Sequence, residues 1–174
     1  IKVLKNVKRG RISEYAQHYK GVEYIPVDGK KGYNPLWQIK ANYAFPCATQ
    51  NEINIEDAKH LIENKIELVG EGANMPCFAE AEKLFLDSNV LLAPSKAANA
   101  GGVAVSGLEM SQNSMRLKWS REEVDRKLQE IMQGIYLNIS QAAEKYSEKN
   151  NFIDGANIAG FLKVAEAMVA EGYI

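Results

Sequence analysis

Residues 95–115, SKAANAGGVAVSGLEMSQNSM, decide how the rest of this sequence is read. Between Lys96 and Glu109 stand twelve uncharged residues, eight of them Ala, Gly or Ser. Such a run has too little bulk to fill a core and too little charge for an ordinary surface helix. It suits backbone held close to another molecule, because Gly lacks a Cβ and opens dihedrals closed to other residues. Gly101 and Gly102 precede a helix-compatible run, which predicts a helix N-terminus with free N–H groups, where anions sit well. Asn99, Ser106 and Asn113 punctuate the stretch with polar side chains. A small-residue helix packed tightly on a sheet would have the same composition, so the run alone leaves both readings standing.

Upstream, short apolar runs alternate with helical periodicity. Ile12, Tyr15, Ala16 and Tyr19 sit at helical spacing, with Gly21 placed as a C-cap. Residues 22–25 (VEYI), 42–45 (NYAF), 67–69 (ELV) and 90–93 (VLLA) read as strands. Residues 30–34 are a loop before Pro35, and Pro46 ends the second strand. Asn54 caps a helix through Ala58, Leu61 and Ile62, with Asp57 at the reciprocal position of a capping box. A further helix spans 78–86, and 71–76 is the loop leaving the third strand. This alternation predicts an α/β fold with a parallel sheet and flanking helices.

After Pro94 three helices are expected with no strand between them. Ser120 and Glu123 form a capping box, and Val124, Leu128, Ile131, Ile135, Ile139, Ala142 and Tyr146 follow at steps of three and four. That stripe predicts a long amphipathic helix against a core rather than a coiled coil, because it lacks consistent flanking charge pairs. Ile158, Phe161, Leu162, Ala165, Met168 and Val169 define the last helix, which Gly172 is placed to end. Residues 1–94 are therefore an α/β portion and 95–174 a helical portion of one domain or part of one.

Composition narrows the function classes. No apolar run approaches the roughly 20 residues that span a bilayer, and no secretory signal is visible, so a cytoplasmic location is expected. Cys47 and Cys77 lie 30 apart with no His or second Cys at metal-ligand spacing, which predicts two reduced thiols and no metal site. The net charge of −1 is uneven: residues 1–31 hold eight Lys/Arg against three Asp/Glu. Without aromatic interleaving or a binding fold, that basic opening reads as a solvated helical face, not a nucleic-acid surface. His18 and His60 lack partners at catalytic spacing and read as surface residues.

In an open parallel sheet, ligands bind beyond the carboxyl ends of the strands. Residues 47–50, 71–74 and 95–102 all follow expected strands and should line one edge. Asn74 and Asn99 stand out there, because a carboxamide offers both donor and acceptor to an amide or a ribose hydroxyl. Each Asn could equally cap a turn or take a left-handed conformation. Val103 and Ser106, three apart, share a helix face.

Four blocks carry a resemblance beyond these local signals: PCATQNEI (46–53), EGANMP (71–76), APSKAANAGGVAVSGLEMSQNSMRL (93–117) and GANIAGFLKVAEAM (155–168). In order and spacing they resemble the hexameric glutamate dehydrogenases of the small bacterial type, over essentially all 174 residues. The leucine, valine and phenylalanine dehydrogenases share an NAGGV-like turn but not EGANMP or SGLEMSQN. The resemblance implies a partial Rossmann-like sheet and reversible oxidative deamination of L-glutamate to 2-oxoglutarate and ammonia with NAD(P), NADP being preferred over NAD. It implies Ala48, Thr49, Gln50, Asn74 and Asn99 at the cofactor and Val103 and Ser106 at the substrate. The serine would bind the distal carboxylate, and the valine would pack on the carbon chain. A homohexamer is implied, with neither nucleic acid nor membrane as partner.

Nothing here resembles that family's substrate domain with its catalytic lysine and aspartate, and no G-x-G-x-x-G turn occurs. The chain is therefore expected to be a C-terminal part of a longer enzyme, without catalytic residues of its own and inactive alone. Two other readings stand beside this one. A branched-chain or aromatic amino-acid dehydrogenase would favour a hydrophobic residue in place of Ser106. A non-catalytic binding or assembly module could derive from such an enzyme.

Overall fold

Three parallel strands organise the first half of the chain in the computed structural model, which describes residues 1–172. They are β1 (Tyr43–Ala44), β2 (Leu68–Gly70) and β3 (Leu91–Ala93), ordered β1-β2-β3. Tyr43 pairs with Leu68, Val69 with Leu92 and Gly70 with Ala93. Parallel neighbours need a crossover, and α2 (Ile55–Glu63) and α3 (Ala79–Asp87) supply the two. Asn54 starts α2 as its sequence promised: its side chain accepts from Glu56 N at 2.8 Å and Asp57 N at 3.1 Å, while Asp57 accepts from Asn54 N at 3.1 Å. The apolar faces of both helices close on the sheet. Ile53, Ala58, Val69, Ala81 and Phe85 are wholly buried there, with Trp37, Leu61 and Leu92 beside them.

Residues 22–25 form no strand, against expectation. Val22, Tyr24 and Ile25 are exposed, and no backbone hydrogen bond among the described residues involves this stretch. Apolar alternation supplies no ladder partner, and so short a segment holds as a strand only when paired. The helix before it, α1 (Ser13–His18), is also shorter than its pattern. Its chain leaves through extended Tyr19, and Gly21 takes its positive φ two residues later. His60 is half-buried rather than on the surface, edge-on to Tyr33 and 3.3 Å from Gln38 Nε2.

Beyond Pro94 the described residues form four helices, one more than expected. A single turn, α4 (Ser95–Ala98), runs through Asn99 into α5 (Ala100–Met115), so Gly101 and Gly102 lie inside the first turn of α5. Arg116, left-handed at φ 56°, closes α5, with its N–H on Asn113 O and that of Leu117 on Gln112 O. The expected Ser120–Glu123 capping box opens α6 (Arg121–Tyr146). The stripe on α6 packs between α5 and α7 (Phe152–Glu171), but Tyr146 at its end is exposed. Gly155 sets the α6–α7 approach, since a Cβ there would overlap the Ile139 carbonyl oxygen. Phe161, Met168 and Val169 on α7 are exposed, and Gly172, at φ 78°, ends the helix. Positions 173 and 174 of the expected helical portion lie outside the described residues. Among the described residues, no helix is long and apolar enough to cross a membrane.

Candidate functional site

The carboxyl ends of β1, β2 and β3 release three loops onto one edge of the sheet, and their backbones are tied together. Gly72 N and Ala73 N both donate to Pro46 O, at 3.1 and 3.0 Å. Asn51 N donates to Met75 O at 3.0 Å, and Glu71 N to Ala93 O at 3.0 Å. The first two loops approach closely because residue 72 is glycine: a Cβ would run into Cys47 Sγ. The third loop joins through a side chain, Asn99 Nδ2 donating to Ala73 O at 3.1 Å. Residues 46–50, 71–76 and 94–99 therefore make one connected rim, as their positions after strands predict.

Glu71 lies fully buried beneath this rim. Its carboxylate accepts from Ser95 N at 2.6 Å and from Cys77 N at 3.3 Å. Burial pushes the Cys77 thiol far above its ordinary range, and the charge and hydrogen bond of Glu71 push it further, so this thiol is no nucleophile. Glu82 is raised by burial and then by the Glu71 charge, with Lys96 opposing. Glu71 is a residue of this site that sequence reasoning misses. The available signal was a charged residue between two glycines directly after an apolar strand, Leu68-Val69-Gly70-Glu71-Gly72.

The residues anticipated for the cofactor gather on the rim. Ala48, Thr49, Gln50 and Asn74 are exposed there, and Asn99 is half-buried. Ala48 N donates to Glu52 Oε1 at 3.2 Å. Among the described residues, the side chains of Thr49, Gln50 and Asn74 and the Oδ1 of Asn99 have no hydrogen-bond partner. Neither structural alternative for the asparagines holds as stated. Asn99 occupies the cap position of α5 without a side-chain cap bond, and the left-handed residue of the second loop is Met75, at φ 47°.

Val103 and Ser106 lie apart from this rim, along α5. Both are exposed, Val103 at 74%, and Ser106 Oγ donates to Gly102 O at a long 3.3 Å. A rise of about 1.5 Å per residue puts Ser106 roughly 10 Å along the helix from Asn99. Ala104, Gly107 and Leu108 are half-buried on the same helix, which packs on α6, so Val103, Ser106 and Met110 form an open face. Asn113 sits at the far end of α5.

A cavity of about 620 Å³ opens between α6 and α7, lined by Ile139, Lys145, Lys163 and Glu166 among others, and it touches the third loop only through Lys96 and Ala97. Asn138, Gln141 and Tyr146 line this groove too, but the rim alone lies at the carboxyl ends of all three strands, where an open parallel sheet receives its ligand, and it is the candidate site. Among the described residues, no group of three or more His, Cys, Asp or Glu could hold a metal ion.

Comparison with known proteins bears on the whole of this arrangement. Residues 1–172 match the sequence model of the family described as Glutamate/Leucine/Phenylalanine/Valine dehydrogenase. The NADP-specific glutamate dehydrogenase of Helicobacter pylori is 51% identical over 173 residues, covering 99% of this chain and 39% of that protein. The NAD(P)-specific glutamate dehydrogenase of Xylanibacter ruminicola is 54% identical over 172 residues, covering 99% of this chain and 37% of that protein. Among solved structures, Plasmodium falciparum glutamate dehydrogenase 2 superposes with a TM-score of 0.89 at 48% identity, over 98% of this chain and 36% of that one. The chain thus spans a little over a third of the length of the relatives it matches.

Proposed function

The chain belongs to the glutamate/leucine/phenylalanine/valine dehydrogenase family, and from that premise we propose that the protein carrying it oxidatively deaminates L-glutamate, reversibly, to 2-oxoglutarate and ammonia with NADP in preference to NAD. Residues 1–94 are the α/β portion and 95–174 the helical portion of its dinucleotide-binding domain. The observation that supports this reading most is the connected rim of three loops. It presents unpaired carboxamide and hydroxyl groups where an open parallel sheet receives its ligand.

The residues present fit the nicotinamide end of a dinucleotide. The Asn99 amide spends one hydrogen on Ala73 O, which fixes its plane and leaves Oδ1 for a ribose hydroxyl or the nicotinamide amide. Asn74 offers a second carboxamide and Thr49 a hydroxyl. Ala48 lets the ring lie close to the first loop, and Gln50 assists or satisfies loop backbone. When bound, the nicotinamide accepts the hydride released from the substrate's α-carbon; the protein's part is to orient the two and to keep water out. No proton-transfer group is assigned within this chain.

Ser106 is read as the specificity residue. Its hydroxyl would leave a weak backbone bond for a charge-assisted bond to the distal carboxylate of glutamate, with Val103 against the carbon chain. An apolar side chain at 106 would suit leucine, valine or phenylalanine instead. The relatives' names, most of them NADP-specific glutamate dehydrogenases, support the substrate and the cofactor preference. A cytoplasmic homohexamer completes the proposal, on the resemblance alone.

Steady-state kinetics on the protein that carries this chain tests the reading. Glutamate should support nicotinamide reduction far better than leucine, valine or phenylalanine, and NADP should serve better than NAD. Preference for an apolar amino acid would overturn the role given to Ser106, and no activity with any of the four would overturn the enzymatic reading.

A further inference from the structure

One buried charge lies beneath the exposed carboxamides, and it belongs to none of the roles above. A carboxylate removed from water must find donors, and Glu71 finds two in the main chain, at Ser95 N and Cys77 N, with the Cys77 thiol beside them. None of the ion pairs among the described residues includes it. The two donors belong to different loops. Cys77 closes the loop that carries Ala73 and Asn74, and Ser95 opens α4, which ends at Asn99. Asn99 then returns a hydrogen bond to Ala73 O. Carboxylate, α4, Asn99 and Ala73 thus form a closed circuit through the second and third loops.

We infer that Glu71 is a positioning residue for the nicotinamide end of the cofactor: touching no ligand, it fixes the spacing of Asn74 and Asn99. The inference rests on reading those two asparagines as nucleotide ligands. Both carboxylate oxygens are needed as acceptors. A glutamine has the same shape but one acceptor, and its NH2 must face one of the two N–H groups. Glu71→Gln therefore changes hydrogen-bond chemistry at nearly constant volume. Phe85→Leu, deep in the sheet core, is the matching control for a general loss of stability.

Amide hydrogen exchange, followed by mass spectrometry of peptic peptides, and NADPH binding, followed by nucleotide fluorescence, make the test on the protein carrying this chain. In Glu71→Gln, exchange at 72–77 and 95–99 should rise about tenfold to a hundredfold relative to the strands holding Val69 and Leu92, the scale of one lost bond to a charged group. The nucleotide Kd should rise about tenfold. Phe85→Leu should instead raise exchange across the core and leave the nucleotide Kd unchanged. Loops still protected in Glu71→Gln, a uniform rise like that of the control, or unaltered nucleotide affinity would overturn the positioning role alone. Nucleotide affinity unchanged in Asn99→Ala would overturn the reading of the site, and the positioning role with it.

Discussion

Replacing Gly155 by alanine separates two opposed effects of one methyl group. Gly155 sits in the first turns of α7, buried where that helix crosses α6. An added Cβ would overlap the Ile139 carbonyl oxygen and lie 3.1 Å from Ala143 Cβ. A backbone carbonyl in mid-helix cannot rotate aside, so α6 and α7 must separate around Ile139, Ala142 and Ala143, all buried there. Overpacking of this kind costs about 1–3 kcal/mol, here at the upper end, while the better helix propensity of alanine returns about 1 kcal/mol. The net loss is about 2 kcal/mol, or roughly 4–8 °C in Tm for a chain of this size. Gly160→Ala, five residues on, meets nothing within 4 Å, and should gain the propensity term, about 1 kcal/mol. Urea and thermal unfolding of the two variants should therefore differ by about 3 kcal/mol. Equal stabilities would refute the claim that Gly155 sets the helix crossing.

Other substitutions address the rim and the open face of α5. In the protein carrying this chain, Ser106→Val should lower kcat/KM for glutamate by one to two decades, the worth of about 1.5–3 kcal/mol for a bond to a charged group, and leave norvaline little affected; equal losses on both substrates would reduce Ser106 to a packing residue. Asn99→Ala removes the bond to Ala73 O and should raise KM for the nucleotide alike with every amino acid, while an effect confined to one amino acid in steady-state assays would contradict its placement. Glu82 is shifted above the usual 4.5 by burial first and by Glu71 second, so the fold favours its neutral form. Its contribution is full below that pH and is lost as pH rises through the raised value. Glu82→Gln should therefore gain stability relative to the parent as pH climbs through and beyond the ordinary carboxylate range, and a pH-independent difference in urea midpoints would refute the shift.

What the sequence made legible was local or strongly apolar. The capping boxes Asn54–Asp57 and Ser120–Glu123 each span four residues, and both formed. Three strands were readable because Val69 and Leu92 stand in short apolar runs bounded by turn residues, and such runs are buried on both faces of a parallel sheet. Residues 22–25 show the same pattern without a neighbour to pair with, which no local signal reveals. Tyr146 continued the stripe of α6 arithmetically, yet α7 packs at Ile139, Ala142 and Ala143 and leaves that last turn open. Glu71 was hidden for a related reason. A charged residue in a loop reads as solvated, and its donors come from 6 and 24 residues away. Likewise Asn99 could be narrowed to a cap or a ligand-facing residue, but only the fold brings it to Ala73, 26 residues upstream.

A crystal structure of the protein carrying this chain with NADP+ bound tests the central claim most directly. The account predicts the nicotinamide ribose and amide within hydrogen-bond distance of the Asn74 and Asn99 side chains, about 2.7–3.2 Å, with the ring beside Ala48 and Thr49. A nucleotide seated in the groove between α6 and α7, or elsewhere with the rim untouched, would contradict it.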